Sequence, residues 1–158
     1  MGIQKTNVMR VLDSAHIPYN TYTYENRDGA IDGISVANKI GQPAEKVYKT
    51  LVTRGASKNF FIFVIPVGKE LNLKAAAKSV GEKSVEMIRM DEINRVTGYI
   101  RGGCSPIGMN KDYTTVVDSS CGNIDSIIFS AGKIGFQVEI KPQELVDFIK
   151  AGVAPVID

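Results

Sequence analysis

The sequence predicts an α+β fold, a mixed and mostly antiparallel, barrel-like sheet flanked by short helices. Two pairs of strand-like runs, Tyr48–Arg54 with Phe60–Pro66 and Ser126–Ser130 with Phe136–Ile140, are each split by a few turn-forming residues, as hairpins are. The helical patterns are short and scattered among the strands, which favours α+β over a doubly wound parallel sheet. The length of 158 residues, with 44% hydrophobic and 23% charged side chains, supplies one core and leaves little room for a second. Residues 1–158 are therefore read as a single domain, without repeat, linker or low-complexity segment.

Each element has a local reason. Thr6 or Asn7 caps a helix in which Val8, Val11, Leu12 and Ala15 recur at helical spacing, and Pro18 follows its end. Tyr19–Tyr24 alternates as a strand does, and the turn-rich stretch Glu25–Gly33 reads as a loop. Val36–Ile40 forms a short helix stopped by Gly41, and Pro43 opens another helical turn. Leu73–Val80 is rich in alanine and lysine and ends at Gly81, so it predicts a helix. Ser84–Arg89 reads as a strand, and Asp91 as the cap of a short helix through Val96 that Gly98 ends. Residues Gly98–Lys111 hold too much glycine for a regular element. Strands follow at Thr114–Asp118, Ser126–Ser130 and Phe136–Ile140, the last two joined through the glycine turn Ala131–Gly135. Pro142 opens a final helix with Leu145, Phe148 and Ile149 on its inner face.

Composition removes several function classes. A net charge of +2 is too small for a protein that grips duplex DNA through many phosphates, so no DNA partner is expected. No run approaches the roughly 18–20 apolar residues of a membrane span. The segment Met1–Lys5 leads into no apolar signal core, so neither export nor membrane attachment is expected and the chain reads as cytoplasmic. Cys104 and Cys121 form no Cys-x-x-Cys pair and read as two free thiols. The lone histidine, His16, sits where a helix ends and reads as a polar helix-end residue, which leaves no His-based triad and no zinc cluster. The glycine segments match neither a Walker loop nor a dinucleotide fingerprint, and no metal or cofactor is expected.

Four features could carry chemistry. Lys49 opens an apolar strand and shares a face with Leu51, so a core-facing Leu51 places the lysine at the rim of the core. An ammonium there suits a phosphate or developing oxyanion; alternatively its stem snorkels to solvent. The segment Gly98–Gly108, with Gly102 and Gly103 at its centre, exposes backbone N–H groups that could receive an anion, or it is a tight structural loop. Ser130 and Gly132 suit a ligand contact or, equally, a hairpin turn. Tyr22 and Tyr24 could stack on a base or sugar, or simply pack on their strand.

These motifs resemble, in order and over nearly the whole chain, the bacterial tRNA-editing family related to the insertion domain of prolyl-tRNA synthetases. The resemblance rests on Val47–Val52, Val64–Val67, Glu70–Lys74, Thr97–Gly108 and Ser130–Gln137, and is greatest to the free-standing YbaK-type cysteinyl-tRNA(Pro) deacylases. It implies a trans-editing deacylase acting at the 3′ end of aminoacyl-tRNA, with prolyl-tRNA synthetase as partner. It implies Lys49 as the catalytic lysine and Gly102, Gly103, Ser130, Gly132 and Tyr22 or Tyr24 as substrate contacts. Some relatives carry an aspartate where this chain has Gln137, which puts an acidic base at that position in doubt. Members acting on cysteine are thought to let the substrate thiol attack its own carbonyl, with Cys104 and Cys121 as spectators here. An alanyl-tRNA(Pro) deacylase and a non-catalytic tRNA- or synthetase-binding module are the competing readings.

Overall fold

The architecture, taken from a computed structural model that describes residues 4–158, is organised around one long hairpin. Strands β2 (Tyr48–Gly55) and β3 (Phe60–Pro66) pair antiparallel from Tyr48↔Pro66 to Arg54↔Phe60. Strand β4 (Val85–Met87) adds antiparallel to β2, while β5 (Thr114–Asp118) and β8 (Gly152–Ala154) add in parallel beyond β3. The resulting five-stranded sheet has the order β4-β2-β3-β5-β8. A second, three-stranded antiparallel sheet runs β1 (Asn20–Thr23), β7 (Phe136–Ile140), β6 (Ile127–Ser130). One parallel bridge, Val47↔Ile128, joins the two sheets at a corner. That bridge leaves two separate sheets, so the barrel-like expectation stops short of a closed barrel.

Period-2 alternation along β3 builds cores on both faces of the larger sheet. Phe61, Phe63 and Ile65 meet Ala76 and Ala77 of helix α3 (Leu73–Ser79). Val64 turns the other way, into a core it shares with Phe129 of β6, Val138 of β7 and Val8, Met9 and Leu12 of helix α1 (Asn7–Ser14). Thr6 caps α1 by accepting the Met9 N–H at 3.3 Å. Helix α2 (Gly33–Ile40) is capped by Asp32 and ended by Gly41 in the left-handed conformation. Helix α4 (Ile93–Thr97) ends at Gly98, and residues 98–113 then hold neither helix nor strand. Among the described residues, no helix is long and apolar enough to cross a membrane.

The expected elements are present, with four corrections. Asp91 is no cap: the turn starts at Arg89, whose N–H donates to the Glu92 carboxylate at 3.0 Å, while Asp91 pairs with the Arg89 side chain. Phe148 of helix α5 (Pro142–Ile149) is 38% exposed, because Leu145 and Ile149 hold the inner face. The Ser84–Arg89 strand shrinks to three residues, Val85–Met87, which pair with β2, and beyond them Ile88 adds a single N–H bond to the Val52 carbonyl at 3.2 Å. Strand β8 was not anticipated; it is short and is stabilised by parallel pairing with β5, far away in sequence.

Candidate active site

The corner where the sheets meet forms a cavity of about 110 Å³. The Val47↔Ile128 bridge sets the start of β2 beside the β6–β7 hairpin, so Lys49 and Thr50 come to line the same space as Ser130 and Gln137. These last two face each other across the hairpin ladder. A second wall comes from Ile31, Gly33 and Val36 at the start of α2. Lys39 ties that segment down: its ammonium donates to the Glu25 and Ala30 carbonyls and to Asp28, at 2.7–3.0 Å. Gly33 must be glycine, since a Cβ there would stand 2.3 Å from Val67 Cγ1. Gly102 and Cys104 supply the third wall. Gly102 adopts φ +87° and approaches Ile31 so closely that a Cβ would lie 2.7 Å from its Cδ1.

Lys49 is half-buried and, among the described residues, makes neither an ion pair nor a side-chain hydrogen bond. It shares its face with Leu51, which packs on the α3-side core, so the lysine stem leaves that core at its rim as expected. Ser130, which lines the cavity, accepts the Gly132 N–H at 3.1 Å, so its own O–H remains available to donate. Gln137 is buried at 6% exposure with no side-chain hydrogen bond of its own among the described residues. The Thr50 hydroxyl is buried without a partner. Within the glycine loop, the Gly103 N–H is spent on the Ile100 carbonyl at 3.0 Å. The N–H groups of Gly102 and Cys104 have no protein acceptor among the described residues.

The predicted residues therefore separate. Lys49, Gly102 and Ser130 converge on the cavity. Gly103 does not line it, and packs its backbone on Lys133 and Ile134. Gly132 turns the hairpin at φ +90° against the Tyr99 ring and Val8, away from the cavity. Tyr22 lies outside the lining: its ring packs on the Val47 and Ile128 cluster, and its hydroxyl donates to Glu139 at 2.7 Å and accepts from Gln42 at 3.3 Å. Tyr24 lies outside the lining, with the Lys39 ammonium 5.9 Å from its ring centre. His16 is exposed at the end of α1. Thr50, Gln137 and the α2 wall are cavity residues that the sequence did not single out for binding. Thr50 had one signal, its place beside Lys49; the α2 wall had none, because folding alone brings it there.

The chemistry of this set is one-sided. Lys49, Thr50, Ser130 and Gln137 line the cavity together with Gly102 and Cys104, whose N–H groups are unspent, while no carboxylate or imidazole lines it among the described residues. Such a site stabilises developing negative charge and grips a carbonyl, but holds no ordinary general base. Its cysteine adds none: burial pushes the Cys104 thiol up to about 11, and a hydrogen bond with Thr97 offsets this only in part. Both Cys104 and Cys121 are free thiols. Tyr48 stays protonated as well, since burial raises it to about 12 while its hydroxyl bonds Ser120 at 2.7 Å.

Comparison with known proteins gives a consistent result. The aminoacyl-tRNA editing domain family matches residues 32–148. The chain is 39% identical over 153 residues to the "Putative Cys-tRNA(Pro)/Cys-tRNA(Cys) deacylase EbsC" of Enterococcus faecalis (strain ATCC 700802 / V583), covering 97% of this chain and 93% of that protein. In fold it is similar to the crystal structure of hypothetical protein APE2540, with TM-score 0.88 and 23% identity over 97% of this chain and 100% of that one. It is also similar in fold to a "putative trans-editing enzyme for prolyl tRNA synthetase", with TM-score 0.82 and 20% identity over 99% of each chain.

Proposed function

The chain belongs to the aminoacyl-tRNA editing domain family, and we propose that it removes cysteine from mischarged Cys-tRNA(Pro), and from Cys-tRNA(Cys) as well. The observation that carries this reading is a donor-rich cavity that contains no base. An aminoacyl ester is already activated, so a site that only positions and stabilises charge suffices when the substrate brings its own nucleophile. Cysteine brings one. Its sulfur attacks its own ester carbonyl, the C–S bond of a β-thiolactone forms, the ester C–O bond breaks, and the thiol proton passes to the departing ribose oxygen. Water then opens the thiolactone to free cysteine. Lys49 and the Gly102 and Cys104 N–H groups stabilise the oxyanion, and Ser130 and Gln137 orient the amino acid. The similarity to a relative named for Cys-tRNA(Pro) and Cys-tRNA(Cys) supports the same substrate class.

In this reading residues 1–158 act as one editing domain in the cytoplasm, and prolyl-tRNA synthetase delivers the substrate. A net charge of +2 gives weak grip on tRNA, which favours such a handover. The test is deacylation of cysteinyl-, alanyl- and prolyl-tRNA(Pro) by wild type and Lys49→Ala, with and without the synthetase. Lys49-dependent loss of cysteine alone is the expected result. Loss of alanine instead moves the specificity, and no loss from any substrate leaves a binding module.

A further inference from the structure

Beside the cavity lies a second groove of about 210 Å³, walled by Met87, Ile88, Met90, Ile93 and Arg101. The two spaces share Thr50, Gly102 and Cys104 as a common wall. Resting on the deacylase reading above, we infer that this groove seats the terminal adenine base of the tRNA, with Arg101 meeting the phosphate on its 5′ side.

Four observations converge on this. The cavity of about 110 Å³ is sized for a small aminoacyl group, so the nucleoside must occupy adjoining space, and this groove opens directly across the shared wall. Met87 and Met90 are 45% and 61% exposed, and a thioether is a good partner for the face or edge of an aromatic ring. The neighbouring arginines are committed: Arg54 and Arg95 pair with Glu92, and Arg89 pairs with Asp91. Arg101 is exposed and has no ion pair among the described residues, which leaves its guanidinium for an anion from outside. Finally, Thr50, whose buried hydroxyl has no partner within the fold, stands on the shared wall where the ribose must pass between base and ester, and a turn of its side chain brings that hydroxyl to a ribose hydroxyl. Apolar walls grip a base by its faces without reading its edges, which suffices for a terminal nucleotide common to all tRNAs.

The test pairs kinetics with a binding signal. Met87→Asp and Arg101→Glu change exposed side chains and should fold. Each is expected to raise KM for cysteinyl-tRNA(Pro) about tenfold while altering kcat less than about twofold. In wild type carrying 13C-labelled methionine ε-methyls, adenosine 5′-monophosphate should shift the Met87 and Met90 resonances and leave buried Met9 in place. An active wild type whose two variants keep its KM, with both resonances unmoved by the nucleotide, overturns the groove assignment alone. A wild type that releases no cysteine overturns the deacylase reading and the assignment with it.

Discussion

Two polar clusters meet at the corner of the sheets, and they differ in one respect: one is saturated and the other is not. Glu139 on β7 accepts from Tyr22, Asn20 and Ser126 and pairs with the Lys46 ammonium at 3.0 Å. Burial alone would raise its pKa, yet these hydrogen bonds outweigh that and hold the carboxylate at about 2. Two residues before Glu139 stands Gln137, and three residues after Lys46 stands Lys49, and neither has a side-chain partner among the described residues. Glu139 and Gln137 share strand β7 and are similarly buried, and Lys46 lies in the turn that leads directly into β2 and Lys49, so fold alone does not explain the difference. A polar group that the fold needs is satisfied by the fold, whereas one held for a ligand is left open. Glu139 locks the start of β2 against β7, and that lock positions the open set.

Exchanging lysines breaks the comparison most directly. Lys49→Ala should slow cysteine release about 100- to 1000-fold, the usual loss for a donor at a developing oxyanion, and change stability by less than about 0.5 kcal/mol. Lys46→Ala should do the reverse, keeping turnover in the folded protein while lowering its stability. Single-turnover kinetics and urea titration of the two variants separate these effects.

Removing the hub tests its structural side. Glu139→Ala leaves several donors and one ammonium unpaired and should cost about 2–3 kcal/mol in urea unfolding. The carboxylate's folded pKa is about 2, below its ordinary 4.5, so its contribution is fully present above about pH 4.5 and is lost as pH falls towards 2. Glu139→Gln should flatten that part of the acid-stability profile. A variant as acid-sensitive as wild type would deny Glu139 the role.

The smallest effect belongs to Cys104. With its thiol raised to about 11 it is protonated at neutral pH, so Cys104→Ser should keep cysteine release within about twofold. A large loss would mean that the protein, and not the substrate, supplies the sulfur.

Local chemistry made much of this legible. Turn glycines between strand-like runs located both hairpins, and the place of Lys49 beside Leu51 located it at a core rim. What remained hidden depends on distant pairing. Strand β8 exists only against β5, and the α2 wall meets the cavity only because the sheets join at Val47 and Ile128. Gly102 and Gly132 illustrate the limit. Both adopt nearly the same positive φ, and only their surroundings, Ile31 in one case and Tyr99 in the other, make one a cavity wall and the other a turn. Tyr22 misled for a related reason, since nothing near it in sequence announces Glu139.

The most direct test of the account is single-turnover release of the amino acid from cysteinyl-tRNA(Pro) and seryl-tRNA(Pro) by the wild-type protein. The two esters differ by one atom, sulfur against oxygen, so their shapes are similar while nucleophilicity changes greatly, and single-turnover rates at saturating protein separate that change from binding. Rapid loss of cysteine with serine retained is the predicted result. Serine released as fast as cysteine would contradict the thiol-assisted mechanism and require a base that the cavity does not contain.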